Sequence, residues 1–307
     1  MCSLGANASG LAWPVQAVLT PLLGAESTAE REYWYSSQPV RRGQFHDICF
    51  SRNDELLFGV ITLDEQHVTA SSGTALQCAA EQAYRQLFAL LEAEGCRHLW
   101  RVWNYIPRIN AIEQGLERYR QFNIGRHQAF SAFERPVDSS PAACALGVAT
   151  GPLSIAFLAA DHAAQGLENP RQISAFAYPR QYGPRSPTFS RAAMARQAGQ
   201  DILFISGTAS IVGHDTVHPG DVAAQTRETM ANIAVLVAEA NRHRPGSPFA
   251  LAQLDYRVYI RHPADYPLVR QILEQQVGPA LRASYVQADV CRDDLLVEIE
   301  AQAFSPD

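Results

Sequence analysis

The stretch LLVEIEAQA, residues 295–303, carries two carboxylates two positions apart. Strand alternation sends Leu295, Val297, Ile299 and Ala301 to one face, and Leu296, Glu298 and Glu300 to the other. A solvated strand face is one reading. The other is a general acid, because a carboxyl in a partly apolar cleft is held protonated when desolvation penalises its charged form.

A second chemical stretch is YPRQYGPRSPTFSRA, residues 178–192. Its prolines Pro179, Pro184 and Pro187 exclude a helix interior or a central strand, since each lacks an N–H and fixes φ. As a linker it would need no tyrosines. As a pre-shaped pocket wall, Tyr178, Tyr182, Arg185 and Arg191 would offer phenol groups and guanidinium forks to an anionic ligand. Arg126 in FNIGRHQAF and Arg282 in PALRASYV each precede the last strand pair of their half of the chain, which suggests a shared carboxylate-binding role beside the plain reading of surface arginines. No lysine occurs, and all 25 basic residues are arginine. Schiff-base and P-loop chemistry are thereby excluded, and every cationic contact is a guanidinium that stays charged.

Other candidates are weaker. Cys291 reads as a small buried thiol. His214 and His218 in HDTVH stand four apart but lack an HExxH context, and no metal is expected there. SGTASIVG is neither GxGxxG nor a Walker loop, and no nucleophile elbow is present.

The elements that must position these groups follow one plan twice. In the first half a strand candidate (ELLFGVITLDE, 55–65) precedes a helix over 76–95 with Ala80, Tyr84, Leu87 and Leu91 on one face and Gly95 as its stop. Strands RHLWRVWNYI (97–106), FNIGRHQAF (122–130) and LSIAFLAA (153–160) follow. In the second half, strand DILFISGTASIVG (201–213) leads to a helix capped by Asp221 and running to about Ala240. Then come strand AQLDYRVYI (252–260), helix DYPLVRQILEQQVG (265–278), and strands ASYVQADVC (283–291) and LLVEIEAQAF (295–304). The expected class is α+β, with mixed sheets and helices packed on one face of each. An internal duplication of about 130–140 residues is the economical account. It gives domains at 41–161 and 173–307, a loop at ERPVDSSP (134–141), a linker at HAAQGLENPRQ (162–172), and an unassigned segment over residues 1–40.

At 47% hydrophobic and 18% charged, the 307-residue chain can bury a sizeable core. Its net charge of −6 argues against nucleic acid or an acidic membrane as partner. Six scattered cysteines without CxxC spacing fit a reduced, cytoplasmic setting. The first residues lack a basic n-region and contain two prolines, so neither a signal peptide nor a membrane span is expected.

The stretch ILFISGTASIVGHDTVHPGDVAAQTRETMANIAVLVAEA, with PALRASYV and VEIEA, resembles the RidA/YjgF superfamily over about 120 residues, and the outline recurs more weakly in the first half. The combination of WNYIPRIN, FNIGRHQAF, YPRQYGPRSPTFSRA and SGTASIVGH resembles the chorismatases more narrowly, over most of the chain. That resemblance implies tandem RidA/YjgF-like (chorismate-mutase-like) domains and cleavage of chorismate without metal or organic cofactor. It places the active site between the central and C-terminal parts, with Glu298 as the catalytic glutamate. It also matches Ala209 and Cys291 to positions that distinguish product classes, here the class forming 3-hydroxybenzoate. The chain is similar as well to xanthomonad bifunctional enzymes, which release 3- and 4-hydroxybenzoate. Tyr178, Tyr182, Arg185, Arg191, Arg126 and Arg282 are carried over as substrate-binding candidates. A RidA-like enamine/imine deaminase and a non-catalytic ligand-binding protein stay open beside this reading, as do a monomer with internal pseudo-symmetry and a small homo-oligomer.

Overall fold

The computed structural model of the chain describes residues 2–4, 13–24, 29–69, 73–244 and 246–305. Three short strands come first: β1 (Cys2–Leu4), β2 (Gln16–Val18) and β3 (Glu30–Glu32), in the order β2-β1-β3. The first half then contributes β4 (Arg41–Phe45), β5 (Ile48–Arg52), β6 (Leu56–Leu63), α1 (Ala75–Glu94) and β7 (His98–Pro107). A two-rung hairpin of β8 (Ile112–Glu113) and β9 (Leu116–Glu117) leads into α2 (Arg118–Ala132), and β10 (Ala142–Val148) and β11 (Leu153–Ala160) end this half. The second half holds β12 (Gln165–Leu167), β13 (Ala192–Gln197), β14 (Gln200–Thr208), the small pair β15 (Ile211–Val212) and β16 (Asp215–Thr216), and α3 (Val222–Arg242). It closes with β17 (Asp255–Ile260), α4 (Tyr266–Val277), β18 (Arg282–Gln287) and β19 (Val297–Phe304).

The duplication is visible in the strand order. One sheet runs β4-β5-β6-β11-β7-β10 and the other β12-β13-β14-β19-β17-β18. In each, the last antiparallel strand is inserted between an early hairpin and a parallel pair. The local signals behave as expected. Gly95 ends α1 at φ 72°; its start, not read from the sequence, is capped by Thr74 Oγ1, which accepts from Gln77 N (3.2 Å). Asp221 Oδ1 accepts from Ala224 N (2.9 Å) to start α3.

Each sheet buries one face under its own helices: α1 and α2 on the first, with Leu87, Phe88 and Phe122, and α3 and α4 on the second, with Ile233, Leu236 and Leu273. The opposite faces meet each other through Trp103, Tyr105, Leu146, Phe204 and Tyr259. Four layers result, helices outside and sheets inside, because each sheet is apolar on both faces. The small N-terminal sheet covers one side of this central core, with the Trp34 ring 6.0 Å from that of Phe204 and 6.3 Å from that of Trp103. Among the described residues no helix is long and apolar enough to cross a membrane.

Three expectations change. FNIGRHQAF is not a strand but the body of α2. Its helical face is thin, with Phe122, Ala129 and Phe130 buried beside polar Gln121, Asn123 and Arg126. Gly125 weakens the local propensity further, yet a side chain there would overlap the Gln77 carbonyl of α1. Tertiary packing against α1 therefore outweighs sequence preference. The stretch read as a linker (162–172) contains β12, an edge strand paired with β13. The strand expected over 201–213 breaks after Thr208 and turns back on itself.

Candidate active site

A cleft of about 640 Å³ lies where the hairpin and α2 of the first half face β14, β19 and the Cys291–Asp294 turn of the second. Glu298 lines it. The alternation in β19 holds: Val297, Ile299 and Ala301 pack beneath the helices of the second sheet, so Glu298 and Glu300 point the other way, toward the first half.

The two glutamates meet different surroundings. Glu300 pairs with Arg101 and accepts from Arg257 Nη1 (3.0 Å) and the Tyr259 hydroxyl (3.1 Å). Arg257 in turn pairs with Glu32 of the N-terminal sheet. Glu298 is 4% exposed and, among the described residues, has no such salt bridge. Its pKa is pushed up to about 8, first by burial and then by the neighbouring charge of Glu300, against smaller opposing effects of Arg101 and Arg191. The carboxyl is therefore protonated at neutral pH and can donate a proton.

Cys291 and Ala209 share a small apolar wall with Ile211, Val290 and Leu295. Burial, reinforced by the charge of Glu298, pushes the Cys291 thiol up to about 12. It is a neutral space-filling group and not a thiolate nucleophile.

The proline-rich segment 178–192 forms part of the cleft wall, although not with every residue. Tyr178, Tyr182 and Arg191 line it. Arg191 is 4% exposed; its Nη2 donates to the Ile173 carbonyl (2.8 Å) and the Tyr178 hydroxyl (2.7 Å), while its Nε has no partner among the described residues. The Tyr182 hydroxyl hydrogen-bonds His214 Nδ1 (3.1 Å). Arg185, by contrast, is exposed and does not line the cleft.

Arg126 and Arg282 are not equivalent positions. Arg126 sits in mid-helix on α2, 2% exposed, with its guanidinium 4.9 Å from the Tyr84 ring centroid and 5.4 Å from that of Phe130. Its Nε and Nη2 have no partner among the described residues, and it acts electrostatically on Tyr119, a cleft residue. Arg282 begins β18 at the sheet edge, exposed and paired with Asp255 (2.5 Å). The apparent correspondence arose from reading α2 as a strand. Arg282→Ala is expected to leave kcat and KM within about twofold and to cost under about 1 kcal/mol, as for an exposed ion pair. Steady-state kinetics and a melting curve check it.

Sequence reading missed three wall residues. Arg292 stacks on Tyr182 (4.0 Å) and Tyr178 (5.3 Å), with Nη1 on the His214 carbonyl (2.8 Å) and Nη2 buried without a partner. Its place beside Cys291 was a usable signal. Tyr119 lies near Cys291 and Glu298, its phenol raised by burial, and it becomes a candidate only once α2 is known to be a helix. Gly207 touches Glu298 directly and carries no chemical group that sequence inspection could flag. Among the described residues no group of three or more His, Cys, Asp or Glu gathers as metal ligands.

Residues 32–159 match the family model of the chorismatase FkbO/Hyg5-like N-terminal domain. A chorismatase of Streptomyces rapamycinicus is 37% identical over 294 residues, covering 94% of this chain and 85% of that protein. A 3-hydroxybenzoate synthase of Streptomyces hygroscopicus is 34% identical over 280 residues, covering 88% of this chain and 80% of its own length. The crystal structure of a chorismatase superposes with a TM-score of 0.86 at 32% identity, covering 98% of this chain and 91% of the other.

Proposed function

The chain belongs to the chorismatase family, and from that membership we propose that it cleaves chorismate to 3-hydroxybenzoate and pyruvate in the cleft between its two halves. One observation carries the reading: a buried, protonated glutamate shares one cleft with arginine donors that the protein leaves unpaired. Chorismate is a dicarboxylate with an enolpyruvyl ether. Arg191 and Arg292 would hold its carboxylates from the wall, with Arg126 supporting from behind Tyr119.

Glu298 delivers its proton to the enol-ether methylene. The ring C3–O bond breaks, and the ether oxygen leaves as the carbonyl of pyruvate. The neighbouring C4 hydroxyl oxygen then bonds to C3 and gives its proton back to the Glu298 carboxylate. The C4–O bond breaks, the C3 hydrogen is lost as a proton while the oxygen now on C3 takes one up, and the ring becomes aromatic 3-hydroxybenzoate. Atoms balance without water, so the wall formed by Ala209 and Cys291 acts by filling the space from which water would attack. Incubation with chorismate followed by chromatography tests the proposal. Equimolar 3-hydroxybenzoate and pyruvate are expected, and any 4-hydroxybenzoate is read from the same trace. Release of ammonia from an enamine substrate with no turnover of chorismate would favour the deaminase reading, and binding without turnover the ligand-binding one.

The steering role has its own test. Ala209→Gly with Cys291→Ala opens room beside Glu298 for a water, which needs both space and polar partners. The double variant is expected to stay active and to divert part of its product to a dihydroxycyclohexadiene carboxylate. An unchanged product profile would refute the role. In heavy-oxygen water the parent enzyme should form unlabelled 3-hydroxybenzoate.

A further inference from the structure

Gly207 lies in SGTAS at the end of β14, where the pairing with β19 shifts register between Ile205 and Thr208. Such a bulge re-aims the backbone beside it. Nothing in the backbone of Gly207 calls for glycine, since its φ lies outside the left-handed region. A side chain there would nevertheless force the end of the Glu298 side chain to move. A Cβ at position 207 would overlap Oε1 of Glu298, and would lie 2.8 Å from its Cδ and 3.2 Å from the Cβ of Cys144. The surrounding frame is stiff: Ser206 Oγ accepts from Ala143 N (2.9 Å) and donates to the Ser190 carbonyl (2.5 Å), which ties this turn of chain to the first half. Among the described residues the Glu298 carboxyl has no salt-bridge partner to hold it, so the shape of its wall decides where it lies.

We propose that Gly207 is a positioning residue for Glu298, its missing side chain being the seat in which the acid's carboxyl rests. The inference rests on the reading of Glu298 as proton donor for its catalytic meaning, but not for its geometry. A methyl group at 207 would push the carboxyl out of the seat and away from the substrate methylene while leaving the arginines in place. The expected result is that Gly207→Ala lowers kcat by about 100-fold or more with little change in KM, since a displaced acid forfeits its share of acid catalysis.

Two cycles separate the seat from the acid. In the thermal cycle, Gly207→Ala should lower the melting temperature in the parent but by much less in a Glu298→Ala background, where the colliding side chain is gone and only Cys144 must yield. Equal losses in both backgrounds would overturn the seat. In the kinetic cycle, Gly207→Ala should cost Glu298→Gln nothing beyond about twofold, because the acid is already absent. A further large loss there would mean a general structural role and would also overturn the proposal. Near-parental kcat in Gly207→Ala, with Glu298→Gln inactive, would sink the seat and spare the acid. Parental turnover in Glu298→Gln would sink the acid and leave the thermal cycle to decide the seat. If Gly207→Ala alone does not fold, recovery of a folded protein by adding Glu298→Ala is the supporting result, and failure to recover it the refuting one.

Discussion

Glu298→Gln is expected to lose about 10²–10⁴-fold in kcat while chorismate still binds, because glutamine keeps the shape but has no proton to give. The pH dependence follows from the same burial. With its pKa near 8 in the fold, Glu298 is a competent donor below that pH, and activity should fall about tenfold per unit above it. Stability carries the matching signature. The unfolded carboxyl titrates near 4.3, so between about pH 4.3 and 8 the folded state binds one more proton than the unfolded one. The stabilisation from the neutral buried acid is complete below the unfolded pKa, and declines by about 1.4 kcal/mol per unit until the folded pKa is passed. Glutamine has no such dependence. The melting temperature of Glu298→Gln should therefore gain on the parent's as pH rises from 5 to 8. Near-normal turnover in the folded variant would remove Glu298 from the role and point to Glu300, whose two arginine partners make it the less suitable donor.

The second large effect concerns the arginines. Arg191→Gln should raise KM for chorismate by about 10- to 150-fold, the range for losing a hydrogen bond to a charged group, and Arg126→Met, which acts from behind the cleft wall, by a smaller factor. Stability should separate them. Arg191 holds the Ile173 carbonyl and the Tyr178 hydroxyl, so its loss should also lower the melting temperature. Among the described residues Arg126 is in no salt bridge, and its guanidinium lies against the Tyr84 and Phe130 rings. Replacing that uncompensated buried charge by methionine should leave stability unchanged or raise it. Unchanged KM in both variants would remove Arg191 and Arg126 from the carboxylate clamp and leave it to Arg292.

Much of this arrangement was legible in the sequence because it depends on short-range rules. A period of two in VEIEA determines that Glu298 and Glu300 share a face, whatever lies opposite. Asp221 marks the start of α3 and Gly95 the end of α1, and the order of elements carries the duplication. The prolines of residues 178–192 exclude a helix interior or a central strand, and the absence of lysine makes arginine the permanent cation of the site.

What divides Glu298 from Glu300 is not local. Both stand on the same strand face at near-equal burial, and only tertiary structure brings Arg101 from the first half and Arg257 from β17 to one of them and not the other. The same holds for the arginines. Arg126, Arg185 and Arg282 look alike in sequence, yet one is buried against aromatic rings, one is solvated in a loop and one is paired at a sheet edge. Desolvation and Coulomb interactions depend on distances across the fold, and residues far apart in the chain set them. Sequence by itself therefore determined which chemical groups are present and which faces they take. Only the packing of one half against the other decided which carboxyl is a neutral acid and which guanidinium groups are left with hydrogen bonds to give.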